Sequence, residues 1–511
     1  MTRHVLRFTF YAPRSTFYAP TFSCLAPLSI PCTQPLLSAC ESNHHRMTSA
    51  SAPTAPQPWW RELSRHHWFV FAMASMAWLF DCLDQQLFII ARNPAIADLL
   101  PAGSAPELVK QWGGYATAIF VAGWATGGLI FGAVGDRIGR ARMLTLTVLL
   151  YSVFTGLSSF STGVHDFCAY RFVTGLGVGG VFGLAVALIA DSLPDRARPH
   201  ALGWMQALSA VGNVTAGGIA ILIGWAQVAA VQAGGKPATD FWKYLFWVGA
   251  LPAFLCVFIQ IRLKEPENWV RARAEGLKTG ARFGSYASLF GEARWRKPAL
   301  LGMLLCIAGV VGLWGVGFFS PELVGDVTAK ILKSQNVPGG EVPGRRLMWT
   351  GINMIMQNMG AFAGMLVFTK LAQAYGRKPI FAGTFVCAFI STVIVFKYLS
   401  QPWHIFVLIP IMGFFQLALF AGFAIYLPEL FPIRLRSTGT SFCYNVGRFI
   451  AASGPFTLGL LQAHLAAGAV TADAKLDAFR TACCWVSGVF LVGLIALIFL
   501  PETKGRPLPV D

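Results

Sequence analysis

Stretches of about 20 residues without a charged side chain recur along this chain, and that length is what an α-helix needs to cross a bilayer. Hydrophobic residues make up 55% of the sequence and charged residues 12%, against about a quarter charged in soluble domains. Much of the apolar surface must therefore face lipid, and the chain reads as a polytopic membrane protein. Twelve spans are predicted from His67 onward, at about 67–91, 113–135, 142–162, 167–190, 201–226, 242–262, 298–319, 347–369, 379–397, 403–427, 438–461 and 479–500. The formal net charge of +17 does not indicate nucleic acid, because Lys and Arg sit in short clusters between the apolar runs and no aromatic-interleaved basic patch occurs.

Those clusters orient the spans. Arg137, Arg140 and Arg142 follow span two, Arg196 and Arg198 follow span four, and nine Lys or Arg fall within 262–297. Lys370, Arg377 and Lys378 follow span eight, Arg434 and Arg436 follow span ten, and Lys504 and Arg506 lie near the end. The other gaps hold fewer, although Lys330, Lys333, Arg345 and Arg346 follow span seven. The positive-inside rule then places both termini in the cytoplasm, with the chain in a bacterial inner membrane. The expected organisation is a disordered polar leader over 1–60, a six-helix bundle over 61–262, a cytoplasmic linker over 263–297, a second bundle over 298–500 and a tail over 501–511. The leader reads either as a transit peptide or as a stretch upstream of a true start at Met47, and the second is favoured. Eleven cysteines without C-x-x-C spacing and nine histidines without ligand spacing point to buried thiols, with no metal or cofactor.

The chain also repeats itself. Asp191-Ser-Leu-Pro194-Asp-Arg196-Ala-Arg198 is answered about 238 residues later by Glu429-Leu-Phe-Pro432-Ile-Arg434-Leu-Arg436. Gly139-Arg140 is answered by Gly376-Arg377, and Glu265-Pro266-Glu267 by Leu500-Pro501-Glu502 with the prolines aligned. Three echoes at nearly one offset indicate a duplicated unit. Six spans per unit keep both copies in the same orientation, which suits a transporter with its substrate between two halves.

The stretch Gly132-Ala-Val-Gly135-Asp136-Arg137-Ile-Gly139-Arg140-Ala-Arg142 resembles the loop between the second and third helices of the major facilitator superfamily. Arg171-Phe-Val-Thr-Gly175-Leu-Gly177 is similar to that family's fourth-helix motif, and Pro501-Glu502-Thr503-Lys504-Gly505-Arg506-Pro507 resembles the close of its sugar-porter and organic-ion branches. The resemblance runs from about residue 67 to the end. It implies an all-α membrane protein with twelve transmembrane helices in two parallel six-helix pseudo-repeats, the major facilitator fold, working as a monomer on a small-molecule substrate and protons.

Gly132, Asp136, Arg137, Gly139, Arg140, Asp191, Arg196, Arg377, Glu429, Arg434 and Arg436 are expected to form a conformational latch, since a carboxylate at a helix end can pair with arginines and cap helix N-termini. The second copy carries Gln373 and Ala374 where the first has Asp136 and Arg137, so an asymmetric switch is predicted. Gly175-Leu-Gly177-Val-Gly179-Gly180 lies inside an apolar helix and reads as helix packing rather than a nucleotide loop.

Charges deep within spans are the substrate-site candidates, because burying them in hydrocarbon is expensive. Asp81 and Asp84 lie three apart on one face of span one. Asp81 sits roughly 20 Å past Trp68, and Arg448 of span eleven about 18 Å above Arg436, at 1.5 Å per residue. Asp81 and Asp84 are assigned to proton coupling and Arg448 to a substrate anion, an arrangement that resembles aromatic-acid and organic-acid proton symporters. Two other readings remain open: Asp84 and Arg171 as a structural ion pair, and Arg448 as a neutraliser of a helix end or of Asp81. Gln85, Gln357, Asn358, Tyr444, Asn445 and Trp314 are further substrate-site candidates, with Gln86, Asn213 and Gln416 beside them. The leading expectation is proton-coupled symport of an organic carboxylate, aromatic ones included; sugar or polyol transport and a non-transporting membrane sensor are the alternatives. No nucleophile–base pair stands in the spans, so an enzyme is not expected.

Overall fold

A computed structural model of the chain describes residues 58–509 apart from 236–239, 253–258, 260–261 and 466–470. The expected leader up to residue 57, including Met47, lies outside the described residues. The first half holds α1 (Arg65–Leu99), α2 (Pro106–Ile138), α3 (Arg140–Ser158), α4 (Val164–Ser192), α5 (Arg198–Gln232) and α6 (Phe241–Ala250). Between the halves come α7 (Glu267–Thr279) and α8 (Tyr286–Gly291). The second half holds α9 (Ala293–Gly315), α10 (Ser320–Ser334), α11 (Val342–Tyr375), α12 (Arg377–Tyr398) and α13 (His404–Tyr426), then α14 (Arg436–Ala452), α15 (Gly454–Leu465), α16 (Ala472–Val486) and α17 (Val489–Phe499). No strand occurs among the described residues, and nine spans among them are long and apolar enough to cross a membrane.

The helices overrun the apolar stretches. An apolar run marks only the part that meets lipid, whereas backbone hydrogen bonding continues until a cap stops it. Ser64 caps α1 by accepting from the His67 amide at 3.2 Å. Span seven differs most from expectation. Its helix stops at Gly315, passes through a 3-10 turn at Gly317–Phe319 and resumes as α10, so Lys330 and Lys333 lie on a helix rather than in a gap. Gly312, Gly315 and Gly317 weaken the helix there, and a Cβ on Gly317 would fall 2.5 Å from the Gln416 side chain.

Two seams join the halves. Along α2 and α14, a Cβ at Gly128 would fall 2.2 Å from Asn445, and one at Gly132 would fall 2.4 Å from Ser441. Along α5 and α11, Gly224 faces the Gly344 carbonyl with only 2.5 Å for a Cβ, and Gly217 faces that of Gly351 with 2.9 Å. Small residues at such spacing let helix backbones approach where lipid supplies no hydrophobic drive. Within the first half, Gly175 and Gly179 do the same for α4 against α2, with 2.2 Å and 2.0 Å to the Phe120 and Trp124 carbonyls.

One residue separates α2 from α3 and one separates α11 from α12. Gly139 has φ 132° and Gly376 φ 105°, a region where a side chain is strained. Each glycine also makes room for a glutamate that caps the next helix. Glu265 accepts from the Arg140, Ala141 and Arg142 amides at 2.8, 3.1 and 3.1 Å, and Glu502 accepts from those of Arg377 and Lys378 at 2.9 and 3.0 Å. Glu265 and Glu502 are therefore the equivalent residues, at the same 237-residue offset as Gly139 and Gly376. Aligning Pro266 with Pro501 slips this third echo by two residues; the capping role, not the proline, is what repeats.

Glu502 illustrates the pH consequence. Partial burial works to raise its pKa, but hydrogen bonds from the amides of Arg377, Lys378, Lys504 and Thr503 outweigh it and hold the carboxyl below the ordinary glutamate range. A depressed folded-state value means that its stabilisation is complete above that ordinary range and is lost as the pH falls through the depressed value. Glu502→Gln is expected to cost about 1 kcal/mol at neutral pH, as for a lost N-terminal cap. Its thermal unfolding curve should converge on that of the wild type in strong acid; a pH-independent difference would exclude a charged cap.

Candidate functional site

Arg448 and Tyr444 are one turn apart on α14, and both are buried. Arg448 donates through Nη1 to the Tyr444 carbonyl at 2.8 Å and more weakly to Asn445 Oδ1 at 3.4 Å. Its guanidinium lies between two rings, 3.9 Å from the centre of Trp124 on α2 and 4.2 Å from that of Tyr444. The rings extend this stack in both directions. Trp314 of α9 meets Trp124 edge-on at 5.3 Å. Phe182 of α4 stacks on Tyr444 at 3.8 Å, with Trp78 of α1 beyond it at 5.1 Å. The column interleaves both halves. Among the described residues Arg448 makes no ion pair, and its Nε has no hydrogen-bond partner.

Asp81 and Asp84 are both fully buried on α1 but look different ways. Asp81 accepts from Gln85 at 2.9 Å, leaves Oδ1 without a partner and is coupled electrostatically to Arg448 of the other half. Asp84 turns into the first half, against Gly249 of α6, where a Cβ would come within 2.5 Å of its Oδ1 and 2.6 Å of the Thr155 methyl. The Thr155 hydroxyl acts on the Asp84 carboxylate but falls short of hydrogen-bond geometry. Arg171 acts on Asp84 through space, while its Nε and Nη2 donate to Ser158 Oγ at 3.1 and 2.7 Å and Nη2 also to the Phe154 carbonyl, leaving Nη1 without a partner. Its planar cation also covers Phe246 at 4.6 Å. The Asp84–Arg171 pair expected from depth alone is thus a coupling at a distance, because Arg171 finds nearer acceptors on α3.

The remaining candidates disperse. Asn358 accepts from Asn213 at 2.8 Å across the α5–α11 seam. Asn445 donates to its own helix at the Ser441 carbonyl. Gln416 donates to Thr392 within the second half at 2.7 Å. Gln357 is half-buried beside Gly413, and Gln86 is half-buried on α1.

At one end of the bundle the repeated loops meet. Asp136 accepts from Arg140 at 2.9 Å and also caps α14, taking the Ser437 and Thr438 amides at 3.2 and 2.8 Å and the Thr438 hydroxyl at 2.7 Å. Asp191 bridges Arg140 of its own half and Arg436 of the other. This network is buried and crosses between the halves. The glycines of α2 allow it, since Gly132 and Gly135 bring Asp136 up to the first turn of α14.

The other seam carries a neutral version. Gln373 stands at the Asp136 offset and bonds His200, the counterpart of Thr438, at 3.2 Å. Arg377 pairs with Glu429 at 2.9 Å, and Thr503 donates to that carboxylate, all within the second half. Arg137 and Arg434 hold the segment between the halves instead. Arg137 donates to the Phe283 and Gly284 carbonyls, and Arg434 pairs with Glu292 at 2.9 Å. Arg196 pairs with Glu62 near the exposed surface at 2.8 Å, away from the buried cluster.

A family model described as Major Facilitator Superfamily matches residues 93–329. A putative metabolite transport protein of Haemophilus influenzae is 28% identical over 79% of this chain and 90% of its own length. A probable 4-methylmuconolactone transporter of Cupriavidus pinatubonensis is 28% identical over 88% of this chain and 93% of its own. The cis,cis-muconate transport protein of Acinetobacter baylyi is 26% identical over 87% and 97%. Among solved structures, the proton:xylose symporter XylE is 18% identical with a TM-score of 0.63, covering 87% of this chain and 98% of that one. The human organic anion transporter MFSD10 is 12% identical with a TM-score of 0.61, over 84% and 99%. The last two are similar in fold.

Proposed function

We propose that this chain, which belongs to the major facilitator superfamily, carries a small organic carboxylate across the membrane with protons by alternating access. The chain is a multi-pass membrane protein and a secondary transporter of that superfamily, not an enzyme. The observation that carries this reading is Arg448: a buried guanidinium between the halves, within 3.9 and 4.2 Å of two ring centres, with its Nε left without a hydrogen-bond partner. A guanidinium stays charged and presents a fork that matches a carboxylate. The names of two relatives, for muconate and 4-methylmuconolactone, support an organic acid as its ligand. Tyr444 and Asn445 touch Arg448 directly, Gln85 reaches Asp81 and Trp314 reaches Trp124; these are proposed to complete the site, with Gln357 and Asn358 as further candidates.

Proton coupling is assigned to the two acids, with distinct duties. Asp81 is coupled through space to Arg448, the cation proposed to bind the substrate, and so senses whether an anion occupies it. Asp84, buried in the first half beside Gly249 and Thr155, is assigned the carried proton, and approach of Arg171 would favour its release. Asp136, Arg140, Asp191 and Arg436 then act as a latch that holds the cytoplasmic side closed, with the membrane orientation set by the basic loops. A single chain suffices for this cycle.

The test is uptake into proteoliposomes of a panel of labelled organic acids and sugars, with and without an inward proton gradient. Carboxylate uptake that rises with the gradient is expected. Uptake indifferent to the gradient would remove the symport reading, and sugar uptake alone would remove the anion. Asp84→Asn is expected to retain exchange of substrate across the membrane while losing accumulation against a gradient by about tenfold or more, since a neutral amide mimics the protonated acid but cannot release it. Equal loss of exchange and accumulation would assign Asp84 to structure.

A further inference from the structure

The rings around Arg448 carry a consequence for the return half of the cycle. A symporter must reorient without its substrate as well as with it. During that step a buried guanidinium has to be satisfied by the protein alone, because an uncompensated charge in a dry interface is costly. The hydrogen-bond acceptors of Arg448 both lie on its own helix, the Tyr444 carbonyl and Asn445, and so travel with it. From the opposite half Asp81 acts on Arg448 only through space, without an ion pair among the described residues, and the group in contact with it is the ring of Trp124, at 3.9 Å. Trp124 is itself fixed: it is 1% exposed, its carbonyl lies against Gly179 of α4, and Trp314 meets its ring edge-on.

We infer that Trp124 is a positioning residue that bridges Arg448 to the first half when no anion does so, and thereby permits the substrate-free carrier to reorient. This rests on the reading of Arg448 as the anion-binding residue. The Trp124 ring makes no hydrogen bond to Arg448 and Nε is without a partner, so an N–H group remains for a carboxylate and the ring need not be displaced when substrate binds. Cation–π attraction is strongest for tryptophan and grows when the pair is desolvated, which is the situation at this seam.

Net uptake and exchange separate this role from a purely structural one, because exchange never passes through the substrate-free carrier. Trp124→Leu, reconstituted at matched protein density, is expected to lower net uptake about tenfold, the order of one desolvated cation–π contact, while counterflow exchange of the transported carboxylate stays within about twofold. Trp124→Phe keeps the packing and weakens the ring face, so a loss of about threefold in net uptake with unchanged exchange is expected. Parallel loss of net uptake and exchange in both variants would overturn the inference, as would full net uptake in Trp124→Leu. The underlying reading fails separately: if Arg448→Ala transports carboxylate normally, Arg448 is not the anion site, whatever the Trp124 variants do.

Discussion

Arg448→Ala is expected to reduce carboxylate uptake by about 100-fold or more, through a higher apparent KM together with a lower maximal rate. Truncating one member of a buried, hydrogen-bonded charge pair costs about 2–5 kcal/mol, and each 1.4 kcal/mol is a factor of ten. Arg448→Lys should fall between the two, since lysine keeps the charge and loses the planar fork. The Tyr444 and Trp124 ring centres lie 4.2 and 3.9 Å from the guanidinium carbon, and the shorter lysine side chain also weakens these ring contacts. Initial rates in proteoliposomes over a range of substrate concentrations measure this directly. Wild-type rates in Arg448→Ala would leave the residue as a neutraliser of Asp81.

The second large effect is conformational. Asp136 accepts four hydrogen bonds from Arg140, Ser437 and Thr438, three of them from the opposite half. Asp136→Ala removes a helix cap and leaves Arg140 with one buried carboxylate, Asp191, in place of two. Loss of a buried, charge-assisted network of this kind costs about 3–5 kcal/mol, and so should shift the carrier by at least about 100-fold toward the state open at this end. A cysteine at Ser441, now buried in the α2–α14 seam, should change from slow to rapid labelling by a water-soluble thiol reagent. Gln373→Ala, at the equivalent place on the other seam, removes one neutral hydrogen bond to His200, worth about 1 kcal/mol. Its labelling should change by less than about tenfold. Equal effects at the two positions would contradict an asymmetric latch.

The difference between the seams was partly legible in the sequence. Gln373 in place of an acid is a substitution in a repeat, readable once the offset is known. The partner it meets was not, because His200 and Thr438 become equivalent only when the halves cross. The same holds for the capping glutamates. Glu265 and Glu502 share the offset of Gly139 and Gly376, yet the neighbouring prolines make a more conspicuous alignment two residues away. Charge on an apolar helix drew attention to Asp81, Asp84, Arg171 and Arg448, since a charge in a membrane needs an explanation. Trp124 and Phe182 carried no such signal: an aromatic ring in a span reads as lipid-facing or packed, and nothing local distinguishes one that covers a cation.

Depth along a helix could be counted from the sequence, and it places Asp81 near Arg448 and Asp84 near Arg171 at about 1.5 Å per residue. Direction could not. Asp81 and Asp84 share a helix face by spacing, but the tight approach of Gly249 and Thr155 turns Asp84 into the first half, while Asp81 stays coupled to the interface. By itself the sequence determined the membrane class, the duplicated helical architecture and the short roster of buried charges, because hydrophobic length, repeat offset and the cost of a charge in lipid are properties of the chain read in order. Only the tertiary structure decided which of those charges meet, which rings lie against Arg448 and which seam holds the buried charge network. Those outcomes depend on contacts between helices hundreds of residues apart, set by where glycines let two backbones come close.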